Sequence, residues 1–495
     1  MFRLNQAKTP LFDALLEYSY NNTIPYHVPG HKRGQGMDEE FRNFVGYNVL
    51  SIDVTVFDQV DSLHKPTGVI KEAQELAADA YGADATLFCI HGTSGAIQAM
   101  IMSAVGEGDK IIVPRNIHKS VTAGIILSGA IPVYVQPAID KNIGVAMGVT
   151  PEAVKEALEE NPDAKAVLII NPTYYGVASD IKSIARIVHS YDIPLLVDEA
   201  HGPHLRFNDR LPISALEAGA DIVAQSTHKI LGAMTQASML HIKGDRISIN
   251  RAKNVMSMLQ TTSPSYILLA SLDVARRQMA LHGKELLDNA IDVAEYARKR
   301  INEIDGFYCF GRDIIGQPGV YDFDPTKVTI TARNLGITGY ELETILAEKY
   351  FIQPELADMY NTLCVMTLGD DYKKVDKLIE ALKEISNEYY LKYIGISNVL
   401  DIPEIPEMVL TPREAYNSAT IAMSLEDSVG QISAEFIYAY PPGIPVLYPG
   451  ERITREIVEY VEKMKDASLH VQGPEDQDVN YIKVVRNLEA LTITA

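Results

Sequence analysis

Lys229 stands alone in the mostly apolar run AQSTHKILGAM, residues 224–234. Burying a lysine there is costly unless its charge is compensated or given up. In a partly desolvated pocket its pKa falls, and the neutral amine can form a Schiff base with a carbonyl. Asp198, in LLVDEAHGPH (195–204), precedes it by 31 residues. Both follow strand-type runs, which predicts an aspartate and a lysine at successive strand ends, on the sheet edge where open α/β folds bind ligands. An aspartate in that place can hold a ring nitrogen protonated and so make the ring an electron sink.

HGTSGAI (91–97) lies between an apolar strand pattern and a helical one. Backbone N–H groups at a helix N-terminus, with the hydroxyls of Thr93 and Ser94, suit a phosphate. A plain turn with a Ser or Thr N-cap competes with that reading. The loop is not a Walker A sequence, because no Lys-Ser or Lys-Thr follows its glycines, and DEAH therefore lacks the partner a helicase motor needs. His201 and His204, with Asp198 or Glu199, are candidate metal ligands, yet Gly and Pro after a strand end do not fix two histidines as an HExxH helix does. Aldehyde carbon, ring nitrogen and phosphate each find a partner in Lys229, Asp198 and the Gly-Thr-Ser loop. Those are the needs of pyridoxal 5'-phosphate. No element is specific alone; the ordered set is.

The elements that must position these groups are short β-branched runs alternating with helical patterns from about residue 85 to 243: ATLFCI, DKIIVP, IPVYVQP, AKAVLII, IPLLVDEA and ADIVAQS. This predicts an α/β fold with a mostly parallel sheet and helices on both faces. After the glycine loop, Ile97, Met100, Ile101, Ala104 and Val105 recur at helical spacing. Residues 265–305 read as one or two long amphipathic helices, and beyond about 310 the pattern becomes mixed. Prolines 403, 406 and 412 mark another boundary. The expected division is an N-terminal arm (1–36) that forms no core element, a large cofactor domain (37–310), a small α+β domain (311–395) and a C-terminal region (396–495).

With 495 residues, 47% of them hydrophobic, the chain can bury more than one core. A net charge of −21 disfavours nucleic acid and anionic membranes. No run approaches the roughly 20 apolar residues of a membrane span, and the N-terminus lacks a secretory h-region. Three cysteines without a CxxC pair fit a reducing cytoplasm.

HVPGHKRG, HGTSGAIQAM, PRNIHKSV, NPTYYGV, VDEAHGPH, STHKILGAMTQ, TTSPSY and YPPGIPVLYPGE together resemble the Orn/Lys/Arg decarboxylases, fold type I (aspartate aminotransferase-like) pyridoxal-phosphate enzymes. The likeness runs along nearly the whole chain and is greatest to their compact bacterial form, assigned as arginine decarboxylase. It implies that Lys229 is the Schiff-base lysine and Asp198 the pyridinium partner. Thr93, Ser94 and Ser226 match phosphate ligands, and His228 matches a histidine touching phosphate or substrate. His118 matches the histidine stacked on the ring, against the plainer reading of a surface loop residue. His201 stands where larger members often carry an aromatic residue near the cofactor. Glu451 matches an acidic residue that reads the substrate's distal cation; a solvated turn carboxylate is its alternative. No metal is implied. The implied reaction is decarboxylation of a basic amino acid, arginine to agmatine for polyamine synthesis, in a homodimer or larger homo-oligomer whose active site lies at the subunit interface. Lysine or ornithine are the near alternatives. An aminotransferase or aldolase on the same fold is more distant. A silent binding protein fits poorly with retention of Lys229, Asp198 and the phosphate set.

Overall fold

The computed structural model describes residues 2–21, 23–389, 402–440, 444–466 and 470–486. The expected boundary at 395/396, like residues 441–443 of the YPPGIPVLYPGE motif, lies outside them. The chain forms two compact units. One comprises Met1–Ala104 with Asp192–Asn289, the other Val105–Tyr191 with Ala290–Ala495.

Seven principal strands appear in chain order: β1 (Ala85–Cys89), β2 (Lys110–Pro114), β3 (Ile131–Val135), β4 (Ala166–Ile170), β5 (Leu195–Asp198), β6 (Ile222–Gln225) and β7 (Ser238–Ile242). The six expected strands are β1 to β6, while β7 lay outside the expected alternation. In the first unit the order is β1-β7-β6-β5. There β5 and β6 run parallel, and β7 is antiparallel to both β6 and β1. In the second unit β2 lies between β4 and β3, parallel to both. Buried runs such as Leu195-Leu196-Val197 and Ile222-Val223-Ala224 explain the near-continuous apolar sequences, since both sheet faces are covered.

The helix Gly92–Ala104 buries Ile97, Met100 and Ile101. Residues 265–305 resolve as one helix, Tyr266–Asn302. The N-terminal segment departs from expectation, because Pro10–Tyr20 is a helix whose Leu11 and Leu15 are fully buried. A buried ion pair explains its docking. Asp273 Oδ2 accepts from the N–H groups of Leu11 (3.1 Å) and Phe12 (3.4 Å), while Asp273 Oδ1 takes the Arg276 guanidinium at 2.6 Å. Arg276 also donates to the carbonyl of Gln6 at 2.7 Å.

In the second unit, strands Tyr308–Cys309, Lys327–Thr331, Asn361–Val365 and Leu356–Ala357 form an antiparallel sheet. Val328 and Ile330 pack with Leu342, Leu346, Leu378 and Leu382 of the helices Gly339–Tyr350 and Tyr372–Tyr389. Farther on, Ile437–Tyr440 pairs with Ile444–Leu447 and His470–Gln472. The helix Arg455–Asp466 closes a separate core there through Ile457, Val458 and Val461. Among the described residues, no helix is long and apolar enough to cross a membrane.

Removing one partner of a buried ion pair leaves the other charge uncompensated, at a cost of roughly 3–5 kcal/mol. Asp273→Ala is therefore expected to lower the denaturation midpoint sharply and to expose the first 20 residues to limited proteolysis. A midpoint equal to wild type would remove the ion pair from the account of how the N-terminal helix docks.

Candidate active site

Parallel pairing places Asp198 opposite Ala224, so the ends of β5 and β6 share one edge of the first unit's strands. β7 runs the other way, and Ser238, its first residue, pairs with Cys89 at the end of β1. Three chain reversals therefore converge there. Gly92, at φ +65°, turns the chain from β1 into the following helix, a conformation that glycine adopts without strain. Thr93 is the second residue of that helix, Ser226 follows β6 and Ser238 starts β7. Their hydroxyls touch: Thr93 Oγ1 lies 2.5 Å from Ser226 Oγ and 2.8 Å from Ser238 Oγ. Ser94 is exposed at the same helix start. A helix N-terminus ringed by hydroxyls fits a phosphate.

Lys229 lies beyond the strand end, in the one-turn helix Thr227–Ile230, a turn past where its sequence pattern suggested. Its Nζ is 2.6 Å from His201 Nε2, so one nitrogen gives a proton that the other accepts. His201 is buried and Lys229 half-buried. The adjacent His228 is held by its ring Nδ1, 3.0 Å from the carbonyl oxygen of Ala237.

Asp198 is buried, and its Oδ1 accepts from the N–H of Ala200 at 3.1 Å. Desolvation pushes its pKa up to about 6, with the Ala200 bond and the positive charge of Lys229 opposing. Such a carboxylate is only partly compensated, and a protonated ring nitrogen is the kind of cation that would stabilise its charged form. Hydroxyl cluster, amine and under-compensated acid thus fit the three functional parts of pyridoxal phosphate.

Glu199 follows β5 directly, its N–H still donating to the Ala224 carbonyl at 3.0 Å, and the alternation of the strand carries its side chain to the side opposite Asp198. It is fully buried and accepts from the Ala215 N–H (2.7 Å) and from the Gln225 side-chain amide (2.6 Å). With its nitrogen used on Glu199, Gln225 offers Oε1 to His241 Nε2 at 3.0 Å, and His241 Nδ1 meets Thr86 Oγ1 at 2.8 Å. In this chain His241 Nε2 donates to the Gln225 oxygen. Burial keeps the ring neutral, holding the His241 pKa down to about 3. Burial likewise pushes the Glu199 pKa up to about 8, and the bonds from Gln225 and Ala215 only partly offset it.

The two remaining expected residues lie in the second unit. His118 is exposed and N-caps the helix Lys119–Ser128, its Nδ1 lying 3.2 Å from the Ser120 N–H and 2.7 Å from Ser120 Oγ. Glu451 requires a correction. It is neither a solvated turn residue nor a carboxylate open to a substrate cation, because it is fully buried and engaged at both oxygens by Arg115, at 2.5 and 2.8 Å. Arg115 is 336 residues away in sequence, and spacing could not reveal it. Sequence reasoning also missed Ser238 and the Gln225–His241–Thr86 chain. The available signal was a histidine inside the apolar run SMLHI.

Residues 9–374 match the family model described as Orn/Lys/Arg decarboxylase, major domain, and residues 399–481 match its C-terminal domain. The chain is 49% identical over 493 residues to the arginine decarboxylase of Bacillus anthracis, covering 99% of this chain and 100% of that one. It is 47% identical over 489 residues to the arginine decarboxylase of Bacillus subtilis, again covering 99% and 100%. Among solved structures it resembles the lysine decarboxylase of Francisella novicida, with a TM-score of 0.83 at 24% identity, over 97% of this chain and 81% of that one.

The Glu199 shift has a testable sign. A carboxyl whose pKa is raised by folding stabilises the native state below its unfolded value, near 4.5, and that contribution is lost as pH rises toward about 8. In cofactor-free protein, wild type should therefore lose stability relative to Glu199→Gln as pH climbs from 5 to 8. Melting both proteins across that range checks it; parallel curves would mean Glu199 does not titrate there.

Proposed function

The chain belongs to the Orn/Lys/Arg decarboxylase family, and on that premise we propose that it converts L-arginine to agmatine and carbon dioxide with pyridoxal phosphate as cofactor, for polyamine synthesis. The near-full-length identity to two arginine decarboxylases supports arginine over lysine. The likeness to the solved lysine decarboxylase carries the fold alone. When bound, the cofactor supplies an aldehyde for exchange between amines and a ring that accepts the electrons of the departing carboxylate.

The protein's residues divide the remaining work. Lys229 Nζ must lose a proton before it can act as a nucleophile, and His201 Nε2, at 2.6 Å, is the base placed to take it. Asp198 would keep the ring nitrogen protonated. Thr93, Ser94, Ser226 and Ser238 would bind the phosphate, with His228 beside them, and His118 matches the family's ring-stacking histidine. The observation that carries this reading is the set Thr93–Ser226–Ser238, Asp198 and Lys229, gathered on one strand edge of one unit.

The four-part domain scheme (1–36, 37–310, 311–395 and 396–495) belongs to the same proposal, with 10–20 now a docked helix. So does a cytoplasmic homodimer in which TTSPSY and VPGHKRG reach a neighbour's pocket.

Carbon dioxide release measured in parallel from arginine, lysine and ornithine tests the substrate, and arginine should give the highest kcat/KM. Borohydride trapping followed by peptide mapping should mark Lys229; a mark on Lys119 would overturn the assignment. Asp198→Ala should weaken cofactor binding and reduce turnover by on the order of 10²–10³, the scale for losing one preorganised electrostatic partner. Near-native turnover with saturating cofactor would sink the ring-nitrogen role.

A further inference from the structure

The segment that carries His118 is gripped at both ends by residues from far along the chain. At its start, Arg115 lies one residue beyond β2 and is almost wholly buried. Its guanidinium meets Glu451 through two nearly parallel bonds, and its Nε donates to the Pro445 carbonyl at 2.9 Å. The guanidinium carbon also sits 4.8 Å from the ring centre of Tyr134 and 4.5 Å from that of Tyr448. Such a planar fork tolerates little displacement. The carboxylate is itself fixed, since Glu451 Oε2 accepts from the Tyr448 N–H at 2.8 Å. Gly450, at φ +94°, brings the turn so close to Leu410 that a Cβ would fall 2.1 Å from that carbonyl oxygen.

At the far end, the last carbonyls of the helix Lys119–Ser128 lack helical partners, as at any helix C-terminus. Arg413 Nε donates to the Ile126 carbonyl at 2.6 Å, and its Nη2 donates to that of Leu127. Arg413 is itself in a short helix opened by a Thr411–Glu414 capping box. Between the grips, His118 is the exposed N-cap residue.

We propose that the C-terminal region clamps the 115–128 segment and thereby sets the position of His118, with Glu451 acting through Arg115 and Arg413 through the helix end. Both are positioning residues, not substrate ligands. The inference rests on the reading of His118 as the cofactor-stacking residue.

The test uses holoenzyme and compares wild type, His118→Ala, Glu451→Gln, Arg413→Ala and the double variant His118→Ala/Glu451→Gln. Kinetics on arginine are read together with visible circular dichroism of the bound cofactor. Glu451→Gln is expected to lower kcat about tenfold, to leave KM for arginine within twofold, and to alter the dichroism in the sense that His118→Ala does. The double variant should be no slower than His118→Ala. Arg413→Ala keeps the buried pair intact and should show the same signature at smaller amplitude; it decides the matter if Glu451→Gln does not fold. A raised KM with unchanged kcat and dichroism would make Glu451 a substrate reader and overturn the clamp. Additive losses in the double variant, or wild-type behaviour of Arg413→Ala, would also overturn it. If His118→Ala itself changes neither kcat nor dichroism, the stacking role falls, and the clamp with it, while arginine decarboxylation stands.

Discussion

Leu196, Val197 and Asp198 pair in parallel with Ile222, Val223 and Ala224, and the chemistry hangs on that register. A slip of one residue would exchange the faces of Asp198 and Glu199. Asp198 would then meet the buried polar chain of Gln225, His241 and Thr86, and Glu199 would take the ligand side. The runs LLV and IVA, buried throughout, hold the register because each residue has its place in packed core on one face or the other. Glu199 reinforces it, donating its N–H to the Ala224 carbonyl at 3.0 Å and binding Gln225 through its side chain. The same register decides where Ser226 and the turn bearing Lys229 emerge.

Glu451, Glu199 and Asp198 are all buried but differ in how their charge is compensated. Glu451 has a guanidinium in bidentate contact, so its charge is matched within the fold. Glu199 has two hydrogen-bond donors, the Ala215 N–H and the Gln225 amide, neither of them a cation, and burial raises its pKa to about 8. Asp198 has one backbone donor and a lysine acting at a distance, with a pKa near 6. Glu199 therefore has its hydrogen-bonding capacity taken up inside the fold, whereas Asp198 keeps an oxygen for which a further partner can compete.

The strands β1 to β6 were legible because parallel strands buried on both faces read as short β-branched runs. Lys229 and Asp198 were legible because a lysine in an apolar run and an acid at a strand end are costly without a purpose. Ser238 was not, since its strand β7 runs antiparallel and follows β6 without an intervening long helix. The N-terminal helix was misread as an arm because its anchor, Asp273, is 262 residues away. Arg115 and Glu451 were hidden for the same reason. Pattern carries local periodicity, whereas a buried ion pair is a fact of tertiary structure.

Distance along the chain also separates the expected site residues into two groups. Thr93, Asp198, His201, Ser226, Lys229 and Ser238 fall within one unit and are positioned by strand ends that neighbour one another, so their geometry is built by sheet pairing alone. His118 belongs to a segment whose start and end are tied to residues 413 and 451, in the part of the chain that matches the family's C-terminal domain. A loop after a strand is ordinarily the more mobile kind of element. Here its entrance is fastened by a buried ion pair lying beside the stacked rings of Tyr134 and Tyr448, and its exit by an arginine on helix-end carbonyls. Bonds to charged groups are stronger than neutral ones, and burial removes the water that would compete for them. The C-terminal part of the chain thus holds one loop at both of its ends through charged groups.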